Sequence, residues 1–126
     1  MNLVTVDDYP TYSDLIIKYV TEEFEDAEFE RFTSAEDFLE FLDENPGYTV
    51  DVLYCDVEMG GMSGLELARQ IRDHYQIGSR IRKMVFVTSY RRLDIDYDGQ
   101  IYGKISKPFD RADIVNITYE LMDGIS

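Results

Sequence analysis

Leu53-Tyr54-Cys55-Asp56-Val57-Glu58-Met59-Gly60-Gly61-Met62-Ser63-Gly64-Leu65-Glu66 passes from a strand to a helix with an acid at the junction, and that passage decides the fold. Asp51 to Cys55 reads as a strand. Ser63-Gly64-Leu65-Glu66 has the form of a helix cap, and Leu65, Leu67, Ala68, Ile71 and Tyr75 are the expected buried residues of the helix it opens. Towards the amino terminus, Glu28 to Phe32 reads as a short edge strand. It is followed by Thr33-Ser34-Ala35-Glu36, a capping box opening a helix through Phe38, Leu39, Phe41 and Leu42 that stops near Asn45-Pro46-Gly47. Before these stands a buried strand, Asn2 to Val6. A helix then starts at Pro10 and runs to about Phe24, with Leu15, Ile16, Tyr19 and Val20 at helical spacing. Towards the carboxyl terminus, Lys83 to Thr88 and Tyr102 to Ser106 read as strands. Asp110-Arg111-Ala112-Asp113 caps a last helix carrying Ile114, Ile117, Leu121 and Met122. Strands alternating with helices specify an α/β fold with a doubly wound parallel sheet.

Such a sheet has a chemical consequence. The carboxyl ends of its strands line one crevice, so residues far apart in sequence meet there. Here the strand ends deliver Asp7 and Asp8, Asp56, Thr88, and Lys107 before Pro108. Three carboxylates brought together repel by roughly 4 kcal/mol per pair at about 4 Å and an effective dielectric near 20. The cluster asks for a divalent cation.

Composition narrows the function further. The chain of 126 residues is expected to form one domain, 1–126, and carries a net charge of −14. That charge argues against direct binding to nucleic acid, because a polyanion would be approached against the protein's own field. Runs such as Glu22-Glu23-Phe24-Glu25-Asp26 are expected to form a solvated face. No stretch has the apolar length of a membrane span or the pattern of a signal peptide, so no membrane association and a cytoplasmic location are expected. The one cysteine, Cys55, is read as a core residue of the central strand.

The segment Asp56 to Gly64 resembles the Asp-x-x-Met-Pro-x-Met-x-Gly motif of response-regulator receiver domains, the chemotaxis-regulator-like proteins of two-component signalling. Gly60 stands where that family has proline. Lys107-Pro108-Phe109 is a second match, and the resemblance spans essentially the whole chain. It implies a five-stranded, flavodoxin-like receiver fold in which Asp56 accepts a phosphoryl group from a histidine kinase or phosphotransfer protein. It implies Mg2+ as cofactor, bound by Asp8 directly, by Asp7 through water, by Asp56 and by the backbone carbonyl of Glu58. Lys107 would pair with Asp56 and then with the phosphoryl oxygens, across a cis bond to Pro108, and Thr88 would be the switch hydroxyl. Output would pass to an effector domain or partner outside this chain, with a phosphorylation-dependent dimer as a further expectation. The chain would then be a signalling domain, not an enzyme with a separate substrate, and His74 a surface residue, because the donor histidine belongs to the kinase.

Two further features depart from that family. Arg91 to Gly99 carries Leu93, Ile95 and Tyr97 at a period of two, so an irregular or shortened fourth helix is expected. The usual switch aromatic position holds Lys104, with Tyr102 one step earlier on the same strand face. By the same resemblance Glu58 and Tyr90 would flank the acyl phosphate, with Tyr90 shielding it. Two rival readings stand beside the phosphoacceptor. A pseudo-receiver would keep the fold as an interaction module, and an aspartate-nucleophile phosphohydrolase would use the same residue types in the reverse order.

Overall fold

The computed structural model describes residues 1–89 and 101–123. The strands are β1 (Asn2–Val6), β2 (Glu28–Phe32), β3 (Val50–Cys55), β4 (Ile81–Thr88) and β5 (Ile101–Ser106). The helices are α1 (Pro10–Glu23), α2 (Ala35–Glu44), α3 (Gly64–Asp73), the single turn α4 (Tyr75–Gly78) and α5 (Arg111–Asp123). The five strands form one sheet in the order β2-β1-β3-β4-β5, and every pairing is parallel. The order reverses beside β1 and β3, which puts the ends of those two strands at the topological switch point where open α/β sheets bind ligands.

Strand alternation divides the core in two. Val4, Val6, Leu53, Cys55, Met84 and Phe86 face one way, against Phe38 and Leu42 of α2 and Leu67 and Ile71 of α3. Leu3, Val52, Tyr54, Val85 and Val87 face the other way, against Ile16 and Val20 of α1 and Ile114 and Leu121 of α5. Central strands covered on both faces are apolar where they are covered, which is why Val52 to Cys55 of β3 and Met84 to Val87 of β4 lack the polar alternation of a half-exposed strand. Tyr54 shows how a polar atom enters such a core. Its buried hydroxyl donates to Thr118 Oγ1 at 2.5 Å, and Thr118 in turn donates to the carbonyl of Ile114 at 2.8 Å.

Two local expectations are corrected. The cap of α2 is Ser34, whose hydroxyl accepts from the Asp37 N–H at 3.1 Å, one residue later than a box of Thr33 and Glu36 requires. Glu36 is thereby released to reach across to the loop after β3, where its carboxylate accepts from the Met62 N–H at 3.0 Å. Tyr75, expected in the core, is 84% exposed. The helix that would have buried it stops at His74, whose extended backbone (φ −115°, ψ 101°) starts the separate turn α4. The caps at Ser63 and at the reciprocal pair Asp110 and Asp113 form as expected. Tyr90 and the expected irregular segment Arg91 to Gly99, with Leu93, Ile95 and Tyr97, lie outside the described residues.

Candidate functional site

Three of the strands that feed the crevice, β1, β3 and β5, continue their ladders one bond past their last residues. The Asp7 N–H donates to the Phe32 carbonyl (3.1 Å), the Asp56 N–H to Val6 (2.9 Å) and the Lys107 N–H to Thr88 (2.9 Å). The backbone of all three residues is therefore fixed by the sheet, although their side chains lie beyond it. Val6 and Cys55 are register partners, as are Thr88 and Ser106. In-register strand ends bring the side chains to one level.

The side chains meet there. Carboxylate oxygens of Asp7, Asp8 and Asp56 lie within 4.8 Å of one another. Asp7 and Asp56 are buried, at 4% and 8% exposure, whereas Asp8 is open to solvent. Lys107 Nζ donates to Asp7 Oδ2 at 2.7 Å and to Asp56 Oδ2 at 3.2 Å, and its side chain is 6% exposed. The lysine thus pairs more closely with Asp7 than with the Asp56 partner expected from sequence. The second oxygen of each buried carboxylate is also engaged. Asp7 Oδ1 accepts from the Tyr9 N–H (2.8 Å) and Asp56 Oδ1 from the Val57 N–H (2.7 Å). The peptide bond from Lys107 to Pro108 is cis.

Electrostatics follow from burial. Loss of water is the largest influence on Asp7 and pushes its carboxyl above the ordinary range, more than the Lys107 and Tyr9 hydrogen bonds pull it down. For Lys107 burial works in the opposite direction, but the hydrogen bond to Asp7 and the charges of Asp7 and Asp56 together outweigh it and raise the amine. Among the described residues, three carboxylates against the Lys107 ammonium leave an excess of two negative charges when all are ionised. Clustered hard oxygen donors, one of them exposed, match what Mg2+ takes, since that ion keeps several waters and few protein ligands. Glu58, the exposed residue two beyond Asp56, stands in the loop that would lend a carbonyl.

Thr88 ends β4 fully buried, and its carbonyl anchors Lys107. Cys55 is a core residue: burial first, then the nearby carboxylates of Asp56 and Asp7, raise its thiol well above the usual value. His74 is exposed at the junction of α3 and α4. Tyr102 is exposed, and its hydroxyl is hydrogen-bonded with Glu120 of α5.

Sequence reasoning missed two residues. The Tyr12 ring lies 4.1 Å from Lys107 Nζ, in the first turn of α1. The signal for it was present: a helix starting at Pro10, directly after the acidic pair, must carry its first turn past the strand ends. The other is Glu36, holding the loop that follows Asp56. Nothing local in the sequence announces a contact spanning the 26 residues from Glu36 to Met62.

Comparison with known proteins gives a consistent result. A model of the response regulator receiver domain matches residues 3–119. No curated protein matches the sequence significantly. Among solved structures, the chain is similar to the response regulator protein TrrA from Thermotoga maritima in complex with Mg(2+)-BeF. The two are 25% identical over 95% of this chain and 97% of that one, with a TM-score of 0.76. It also shares its fold with a CheY-like receiver domain protein from Methanospirillum hungatei JF-1 (22% identity, 98% and 95% covered, TM-score 0.78). A third such structure is the signal receiver domain of an HD domain-containing protein from Pseudomonas fluorescens Pf-5 (16% identity, 98% and 94% covered, TM-score 0.79).

Proposed function

Because this chain belongs to the response regulator receiver domain family, we propose that it takes a phosphoryl group onto Asp56 from a phosphohistidine of a histidine kinase or phosphotransfer protein. An Asp56 carboxylate oxygen attacks phosphorus in line. The new O–P bond forms as the N–P bond to the donor imidazole breaks, and the imidazole keeps the electron pair and is reprotonated from solvent. The attack carries an anion towards an anionic donor, so the crevice must offer positive charge. Lys107 supplies part of it as a mobile ammonium, which moves from Asp7 and Asp56 to the phosphoryl oxygens. Asp8, Asp56 and the Glu58 carbonyl, with Asp7 through water, would hold Mg2+, which would supply the rest of the positive charge. Thr88, at the end of β4, offers its hydroxyl to the phosphorylated group, and the change passes to an effector domain or partner outside this chain, in the cytoplasm. A phosphorylation-dependent dimer is one such output. The reaction is on the domain itself, with phosphorylation and hydrolysis of Asp56 as its whole cycle.

The observation that carries this reading is the grouping of three carboxylates within 4.8 Å, with Lys107 Nζ 3.2 Å from Asp56. The test is intact mass after exposure to phosphoramidate. The wild type should gain one phosphoryl group with Mg2+ and little with chelator, and Asp56→Asn should gain none. Labelling that ignores chelation and survives Asp56→Asn would refute the reading.

A further inference from the structure

We infer that Tyr12 is a positioning residue for Lys107, its ring face holding the ammonium so that it can move between Asp7, Asp56 and an arriving phosphoryl group. This rests on the phosphoacceptor reading. The ammonium has three N–H donors and no acceptor. Two of its partners are carboxylates, at 2.7 Å and 3.2 Å. Among the described residues a third neighbour is the Tyr12 ring, with its centroid 4.1 Å from Nζ, inside the range of a cation–π contact. Since the Lys107 side chain is only 6% exposed, the ring stands where water would otherwise solvate the charge.

The ring is itself held in place. Tyr12 packs against both Tyr9 and Phe109, with ring centroids 5.8 Å away in each case. Phe109 follows Lys107 and Pro108 directly in sequence, so the ring that receives the ammonium is packed against the same stretch of chain that carries it. The chemical type of the third partner matters. A third carboxylate would trap the lysine by a charge-assisted bond, and water would let a flexible four-carbon stem wander. An aromatic face attracts the cation without a directional bond, so it limits where the ammonium goes and does not compete with phosphoryl oxygens.

The experiment compares Tyr12→Leu, which keeps apolar bulk and loses the π face, with Tyr12→Phe, which retains the face. Two readouts are taken: the NMR shifts of the Lys107 Hε protons, which a ring face moves upfield, and the rate of phosphorylation of Asp56 by phosphoramidate at saturating Mg2+. We expect the upfield shift in wild type and Tyr12→Phe and its loss in Tyr12→Leu. Phosphorylation should slow by about fivefold in Tyr12→Leu and return to within about twofold of wild type in Tyr12→Phe, the scale of one partly desolvated cation–π contact. Absence of the upfield shift in the wild type, or equal rates in the Leu and Phe variants, overturns the role of Tyr12. A wild type that takes no phosphoryl group at all overturns the phosphoacceptor reading instead, and the NMR comparison then still decides whether the ring holds the lysine.

Discussion

At the scale of single residues, Asp7 carries the largest tension in the site. Its carboxyl is buried beside a second acid, and the cation that bonds it, Lys107, is shared with Asp56. The folded state therefore binds the Asp7 proton more tightly than the unfolded chain, where an aspartate titrates near about 3.9. A group raised in this way stabilises the fold fully below its unfolded value, and that contribution is lost as pH climbs through the folded value. Asp7→Asn, which has no such proton to lose, should gain stability relative to wild type as pH rises from about 3.9 through the raised folded-state value of Asp7, with no further gain above it. Urea midpoints of the two proteins in chelator, taken across that window, measure the difference. A constant difference at every pH would show that Asp7 is not the strained acid.

At the scale of elements, the junction between β3 and α3 sets how closely a helix can approach the acceptor. Gly64, the first residue of α3, donates its N–H to the Val57 carbonyl at 2.9 Å, and a Cβ there would run into the backbone carbonyl of Asp56. Gly64→Ala should cost about 1–3 kcal/mol by overpacking, read as a lower urea midpoint at unchanged slope. Gly60 stands in the same loop with open space around it and no left-handed backbone. Gly60→Ala should stabilise by about 0.4–1 kcal/mol through the unfolded chain. Equal effects at the two glycines would mean the close approach at Gly64 is not real. This junction also shows what sequence could reveal. The strand, the acid and the Ser63 cap were legible because each is a local pattern, and the same holds for the five strands and for the grouping of Asp7, Asp8, Asp56 and Lys107, which follows from parallel topology. The Ser34 cap, the tie from Glu36 to Met62 and the break at His74 were not legible. Neighbouring Thr33 and Ser34 compete for one cap with similar chemistry, and the choice depends on the entry of the chain from β2. The preference of Lys107 for Asp7 over Asp56 is a matter of half an ångström in a buried crevice, below the resolution of any spacing argument.

At the scale of the whole molecule, a net charge of −14 is spread over 126 residues, and the crevice concentrates part of it. Ordinary salt should stabilise the fold modestly by screening self-repulsion. Mg2+ should do more than NaCl of matched ionic strength, because an ion bound only by the folded state stabilises it by mass action, by about 2.7 kcal/mol at a hundred times the dissociation constant. Asp8→Asn should keep the NaCl response and lose the excess from Mg2+, as seen in thermal melts. Identical responses to the two salts in the wild type would argue against a metal site among Asp7, Asp8 and Asp56. The central claim is narrower: one carboxylate out of 26 acidic side chains receives the phosphoryl group. An acyl phosphate is reduced by borohydride to an alcohol, so treating the phosphorylated protein with borohydride marks the acceptor aspartate as homoserine, which peptide mass spectrometry locates. The account predicts homoserine at position 56 alone, dependent on Mg2+ during phosphorylation. Homoserine at position 7 or 8, or none anywhere while the phosphoryl mass persists, would contradict it.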